Sequence, residues 1–96
     1  MLVFEIAGAK YHAEAFGAAN VQLGDTVNLI PEPQNTHDRN AIKVLKEGFH
    51  IGYVPRMFTW DVHALLEKGV KTAKVDSAWP LGCVIAFDDD SLIITG

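Results

Sequence analysis

The stretch that decides the fold is PEPQNTHDRNAIKVLKEGFHIGYVPR, residues 31–56. Its first half is rich in Pro, Asn and Asp. These residues favour turns, because Pro has no N–H for a strand ladder and Asn and Asp side chains bond nearby backbone. Its second half predicts a hairpin, with strands over residues 41–46 and 49–54 joined by a tight turn at Glu47-Gly48. We therefore expect a polar loop held by a rigid hairpin, an arrangement in which binding residues are often found.

The rest of the chain predicts further short strands. Alternating apolar residues near the N-terminus indicate a first strand over residues 2–7. Residues 14–19 are small and show no clear preference. The other predicted strands are residues 21–23 and 26–30 around a turn at Gly24-Asp25, residues 70–77, and a hairpin of residues 81–87 and 91–95.

One helix is predicted, over residues 59–68. Val62, Leu65 and Leu66 form an apolar stripe at helical spacing. Thr59 is the expected N-cap, and Gly69 is the expected residue just after the helix. Many short strands with one helix are typical of a small barrel whose helix covers one end.

Composition restricts the class of protein. The 96 residues are 49% hydrophobic and 21% charged, which fits a single domain with a small core. The one cysteine, Cys83, stands among apolar neighbours, which predicts a buried thiol and agrees with a reducing cytoplasm. No signal peptide is predicted, and no run approaches the ~20 apolar residues of a membrane helix. We therefore expect a cytoplasmic protein with no membrane partner.

The charge distribution favours a small binding site over an extended one. The formal net charge of −4 counts against strong nonspecific binding to duplex DNA, which depends on many phosphate contacts. Binding of a few nucleotides at one end of a strand is compatible with this charge. The hairpin region is also locally basic, with Arg39, Lys43, Lys46 and Arg56 against Asp38 and Glu47.

The loop and hairpin carry an ordered motif. It reads Glu32-Pro33-Gln34-Asn35, then Asp38-Arg39-Asn40-Ala41-Ile42-Lys43-Val44, then Ile51-Gly52-Tyr53-Val54-Pro55. In order and spacing this motif closely resembles the HIRAN family, and the remaining chain resembles it more weakly. The resemblance implies a mainly β fold: a small OB-like or SH3-like barrel of about six strands with one α-helix. Residues 1–96 would form one HIRAN-like domain, similar to small stand-alone prokaryotic members.

The resemblance also implies a function. In the best-understood members the domain grips the 3′ end of single-stranded DNA, and the family occurs fused to helicase-like ATPases that remodel forks. The expectation is a non-enzymatic DNA-binding module that recognises 3′-hydroxyl ends in DNA repair or replication, with a helicase or nuclease as protein partner. The alternative is a protein-interaction or adaptor module on the same barrel, with a decayed DNA groove.

Asp38 is the first candidate for contact with DNA. The resemblance implies that its carboxylate accepts a hydrogen bond from the terminal 3′-hydroxyl. A carboxylate suits a hydroxyl and repels a phosphate, so it would distinguish a free end from the middle of a strand. The alternative role is an Asx turn that caps the loop backbone, and the two roles are compatible.

Most of the other candidates are aromatic and basic residues at positions where the family carries such types, and Tyr53 is expected to line the same groove from the return strand. Stacking of bases on aromatic rings needs no particular sequence, and cations near the site would offset the negative net charge. Gly52 is expected to let a ligand backbone come close. For each candidate the alternative is a surface role, and for Trp79 it is a half-buried ring that closes the barrel. The expected DNA contacts are Lys10, Tyr11, His12, His37, Tyr53, Arg56 and Trp79, together with Asp38.

No metal site, cofactor or catalytic centre is predicted. The histidines and Cys83 lack the paired spacing of zinc ligands, and residues 88–90 lack the Gly and distal Glu of a calcium loop. The sequence contains no nucleophile elbow and no phosphate-cradling glycine loop. We therefore expect a protein that is not an enzyme.

Overall fold

The structure is a computed structural model and describes residues 1–88. Its main feature is a six-stranded antiparallel sheet with the strand order β1-β6-β5-β2-β3-β4. The sheet curls into a half-barrel, which confirms the mainly β expectation. The strands are β1 Leu2–Glu5, β2 Thr26–Pro31, β3 Ile42–Lys46, β4 Phe49–Tyr53, β5 Thr72–Trp79 and β6 Gly82–Phe87.

The two ends of the sheet meet just after β1. Ala7 forms an isolated antiparallel bridge with Tyr53 of β4. The Ala7 amide donates to the Tyr53 carbonyl at 2.7 Å, and the Tyr53 amide donates to the Ala7 carbonyl at 2.9 Å. A Cβ at Gly52 would lie 2.8 Å from the Ala7 carbonyl oxygen. The space that we expected Gly52 to leave for a ligand backbone is therefore filled by the chain's own backbone.

The central hairpin is confirmed, with strands one residue shorter than expected. Glu47 and Gly48 have φ values of 50° and 86° at the turn between β3 and β4. Positive φ at both central residues is the signature of a two-residue hairpin whose twist matches the flanking strands. Burial alternates along β3, where Ile42 and Val44 face the core as their apolar character predicts, and the third buried position is Lys46.

The predicted helix is confirmed as α2, Thr59–Glu67, which directly follows a 3-10 turn at Arg56–Phe58. Thr59 is not its N-cap: that position is Phe58, and the Thr59 hydroxyl donates to the Arg56 carbonyl at 3.0 Å. Gly69 ends the helix as expected, with a φ of 94°. Its amide and that of Val70 donate to carbonyls of the last helical turn, the pattern of a Schellman motif.

The fold has a second α-helix that the sequence did not predict. A 3-10 turn at Ala9–His12 leads into α1, Ala13–Ala19, which packs against β4. Phe16 and Ala19 are its buried residues, a stripe too narrow to produce a clear apolar period. Alanine has the highest helix propensity, and tertiary contact supplies the rest.

Three smaller differences separate the strands from the expected ones. Residues 21–23 form no strand: they lead into a turn at Leu23-Gly24, where the Gln22 amide donates to the Asp25 carboxylate at 2.7 Å. β5 begins at Thr72, since Val70 belongs to the end of α2. β6, which was expected to form a hairpin with residues 91–95, pairs with β5 on one side and β1 on the other. The strand predicted over residues 91–95 lies outside the described residues.

The core agrees with the composition. Cys83 is fully buried, as predicted, and desolvation raises the pKa of its thiol to about 11. Phe4 connects the sheet to α2, because its ring stacks on Phe58 at a centroid distance of 4.8 Å. No helix within residues 1–88 is long and apolar enough to cross a membrane.

Candidate functional site

A groove opens where the sheet closes on itself. Its cavity volume is about 340 Å³, and both residues of the closing bridge contribute to its wall. We call it the closure groove. It is lined by Ala7, Asn35, His37, Asp38, Ala41, Tyr53, Val54 and Arg56. Four of the expected DNA contacts, His37, Asp38, Tyr53 and Arg56, therefore lie together although they come from distant parts of the motif.

Asn35 holds the loop that carries two of these residues. Its side-chain oxygen accepts the amides of His37 at 2.8 Å and Asp38 at 3.0 Å. Its side-chain nitrogen donates to Glu32 at 2.8 Å. Since all these bonds are internal, Asn35 fixes the loop and has little capacity left for a ligand.

Glu32 links the loop to β4. Its Oε1 accepts hydrogen bonds from Asn35 and, at 2.9 Å, from the Tyr53 hydroxyl, while Lys43 Nζ lies 3.9 Å from its Oε2. The Asn35 hydrogen bond is the main cause that lowers the pKa of Glu32. Burial, and then the bond to Glu32, raise the pKa of Tyr53. The Tyr53 ring is thus held against the groove by an ionised carboxylate.

Asp38 uses one carboxylate oxygen in a loop hydrogen bond and the other in an ion pair. Its Oδ1 accepts the Asn40 amide at 2.9 Å, which is the Asx turn considered above. Its Oδ2 lies 3.6 Å from Arg56 Nε, an ion pair longer than a hydrogen bond. The Arg56 side chain is 77% exposed and the Asp38 side chain 22%. The groove thus offers a hydrogen-bond acceptor beside a cation that faces solvent.

Tyr11 and His12 line a neighbouring hollow with Phe49, outside the closure groove. The His12 ring lies 4.2 Å from the His50 ring and 5.9 Å from the Tyr53 ring, between centroids. Tyr53 therefore connects the hollow to the groove. Burial, and then the charge of His12, lower the pKa of His50, which favours its neutral form in this cluster.

Lys10 and Trp79 do not line the closure groove. Lys10 Nζ lies 5.1 Å from the centroid of the Tyr11 ring, a cation–π distance, in the 3-10 turn that follows the bridge residue Ala7. Trp79 ends β5 and lines a different cavity, with Phe16 of α1. Its indole covers Gly82, where a Cβ would meet Nε1 at 2.6 Å. Trp79 therefore packs on the β5–β6 turn as a half-exposed ring.

The sequence reasoning missed residues beside the groove. Met57 and Trp60 follow Arg56 and are both strongly exposed. A helical projection would have found Trp60, because it falls outside the stripe of Val62, Leu65 and Leu66. Asn35 and Glu32 were read only as motif positions, and their hydrogen bonds are not deducible from spacing.

Lys46 is an internal residue, which reduces the local basic charge that the sequence indicated. Its Nζ donates to the carbonyls of Ala19 at 2.7 Å and Asn20 at 3.0 Å, where α1 ends. It also lies 2.8 Å from the Asp25 carboxylate, and this bond to Lys46 is the main cause that lowers the pKa of Asp25. A cation at a helix C-terminus satisfies carbonyls that have no partner in the helix.

We expect Lys46→Met to destabilise the domain by about 2 kcal/mol, because it leaves two carbonyls and a carboxylate without their charged donor. The measurement is the free energy of unfolding in urea. Lys71→Met, at an exposed position, is the control and should change it by no more than about 0.5 kcal/mol. A Lys46→Met protein as stable as the control would contradict an internal role for this ammonium group.

Within the part of the chain that the structure describes, no group of three or more His, Cys, Asp or Glu side chains is arranged to hold a metal ion. The polar residues of the closure groove are instead hydrogen-bonded to one another and to the loop backbone. Their arrangement is suited to recognition through hydrogen bonds and charge.

Fold and site together define a small half-barrel with a polar groove at the seam of its sheet. The chain belongs to the HIRAN domain family, whose model matches residues 1–79. The matched region contains every residue of the closure groove, but it ends before β6.

Relatives are found among curated proteins and solved structures. A Fanconi-associated nuclease 1 homolog from Oryza sativa subsp. japonica is 29% identical over 91 residues, which are 91% of this chain and 8% of that protein. A protein from Lactobacillus plantarum superposes with a TM-score of 0.74 at 20% identity, covering 88% of this chain and 87% of its own. The HIRAN domain of human HLTF gives 0.70 at 19% identity, covering 88% and 69%. These two structures share the fold.

Proposed function

We propose that this domain is a DNA-binding module that holds the 3′-hydroxyl end of single-stranded DNA in the closure groove. Membership of the HIRAN family, and a relative that is named a nuclease homolog, support DNA binding in general. That relative is about twelve times longer than the matched region, so its activity does not pass to this chain. The module would bind an end and leave catalysis to a partner such as a helicase or nuclease.

The observation that carries this proposal is the second carboxylate oxygen of Asp38. Oδ1 accepts the hydrogen bond of the Asx turn, whereas Oδ2 lies 3.6 Å from Arg56, and both residues line the groove. A terminal hydroxyl can donate to Oδ2, while the exposed guanidinium of Arg56 binds the preceding phosphate. His37 and Tyr53 line the same groove and supply rings for stacking with the last base.

A competition assay tests the proposal. A linear single-stranded oligonucleotide labelled at its 5′ end is bound first and followed by fluorescence anisotropy. The unlabelled linear oligonucleotide should displace it, and a covalently closed circle of the same sequence should displace it poorly, because a circle has no 3′ end. Equal competition by the circle would mean binding along the strand. An absence of binding would favour the protein-interaction alternative, which the net charge of −4 also favours.

The dependence of affinity on salt is a second expected result. Because Lys46 is internal and the Lys43 side chain is only partly exposed, the exposed cations of the region are Lys10, Arg39 and Arg56. Contact with ~2–3 phosphates gives a slope of log K against log salt concentration of about −1.5 to −2 for single strands. Titrations at four salt concentrations measure the slope. A much steeper slope would require a broad basic surface and would contradict recognition of one end.

A further inference from the structure

Two large apolar side chains stand exposed next to the closure groove. Met57 is 77% exposed and Trp60 is 71% exposed. Tryptophan is highly buried on average, and contiguous exposed apolar surface in a soluble protein often marks a place of contact. The apolar stripe of α2 already packs through Val62 and Leu65, so Trp60 is not needed for the core.

Helical geometry places Trp60 beside a residue of the groove, and Met57 beside Trp60. Arg56 lines the groove and begins the 3-10 turn that runs directly into α2. Met57 and Trp60 are three positions apart, and Arg56 and Trp60 are four apart, which makes them neighbours on a helical surface. Trp60 is therefore the neighbour of Arg56 on the side of α2 that follows the groove.

A contact between α2 and the site loop ties this helix to the groove. His63, three positions after Trp60, donates from Nε2 to the Asn40 carbonyl at 3.0 Å. Asn40 is the residue whose amide bonds to Asp38. The side of α2 that carries Trp60 and His63 is thus held against the loop that carries Asp38.

The charges beside Trp60 suit a phosphodiester chain. Arg56 on one side and Arg39 in the adjoining loop are both exposed. Two acidic side chains are also close, since Asp61 follows Trp60 in the sequence and Asp38 lies 3.6 Å from Arg56, so a large polyanionic surface would be poorly matched. An exposed indole next to an arginine fits a base stacked on the ring, with the neighbouring phosphate at the guanidinium.

We propose that Trp60, with Met57 beside it, is a stacking surface for the nucleotides upstream of the last two. This rests on the proposed function, since it needs a DNA end in the closure groove. It extends the binding site from the groove onto the first turn of α2 and predicts that the domain binds more than the terminal nucleotide.

A length series tests this surface. Affinities are measured for a dinucleotide and a decanucleotide, both with 3′-hydroxyl ends, with the unaltered protein and with Trp60→Ala. The decanucleotide should lose roughly fivefold to hundredfold in affinity, the range for one to a few lost stacking contacts. The dinucleotide should bind nearly unchanged, because the groove itself is intact. Leu23→Ala is the control, since Leu23 is equally exposed but lines the cavity of Trp79.

Fluorescence gives a second readout that does not depend on affinity. The chain has two tryptophans, so in a Trp79→Phe background all tryptophan emission comes from Trp60. Base stacking should quench this emission with the decanucleotide and much less with the dinucleotide. If the decanucleotide binds without quenching and without loss in Trp60→Ala, this surface is not part of the DNA site, while the end-binding proposal stands. If neither oligonucleotide binds, both proposals fail together.

Discussion

Asp38→Asn should remove most of the preference for a 3′-hydroxyl end over a 3′-phosphate end. In the unaltered protein a terminal phosphate would lie against the Asp38 carboxylate. Two charges at ~4 Å repel by about 4 kcal/mol at an effective dielectric of 20. Arg56 is close to Asp38 and offsets part of this repulsion, so we expect a preference of about 1–3 kcal/mol, or tenfold to a hundredfold.

The asparagine variant is chosen because of the Asx turn. Its side-chain oxygen can still accept the Asn40 amide, so the loop keeps its shape while the charge is removed. Asp38→Ala removes the acceptor as well and should also weaken binding of the hydroxyl end. The measurement is the affinity of each protein for both ends, with melting temperatures as a check on folding. An unchanged preference in Asp38→Asn would mean that Asp38 acts only in the turn.

Gly52→Ala should destabilise the domain by about 2–3 kcal/mol, because the new Cβ has no room. It would lie 2.8 Å from the Ala7 carbonyl oxygen and 3.0 Å from Ile6 Cδ1. The backbone of Ala7 is fixed by two hydrogen bonds to Tyr53, so it cannot retreat without opening the bridge. For a domain of this size the melting temperature should fall by roughly 10–20 °C.

Gly17→Ala is the matched control for this substitution. The chemical change is the same, but apart from the chain neighbours and the nearby helix backbone no atom lies within 4 Å of the new Cβ, and the residue is exposed on α1. Replacing glycine in a helix should stabilise the domain by about 0.5–1 kcal/mol. Calorimetry on both variants gives the comparison. Equal melting temperatures for the two variants would show that the Ala7 backbone can shift to make room for the Cβ at little energetic cost.

The sequence predicted best those elements whose signals are local. The turn at Glu47-Gly48 and the helix end at Gly69 depend on backbone angles that few residues adopt, and both were found. The helix α1 was missed because its stability comes from packing on β4, which no local pattern shows.

The site was predictable where the motif is continuous. Asp38 and Tyr53 share the closure groove, as the motif suggested. The roles of Gly52 and Lys46 depend on Ala7 and α1, which are distant in the sequence. The sequence does not show which distant residues contact these two. Gly52 was therefore expected to face a ligand, and Lys46 was counted among the basic residues of the hairpin surface.

The pairing of β1 with β6 has a consequence for synthesis of the chain. Leu2 is opposite Phe87 in the sheet, so the first strand acquires its partner only when nearly all of the domain has been made. Contacts between residues so distant in sequence slow folding, since a long loop must close before they form. During translation, Leu2–Glu5 must therefore stay unpaired until β6 leaves the ribosome. Ala7 follows this strand by two residues, so the seam with Tyr53 would become fixed in place only when β1 joins the sheet.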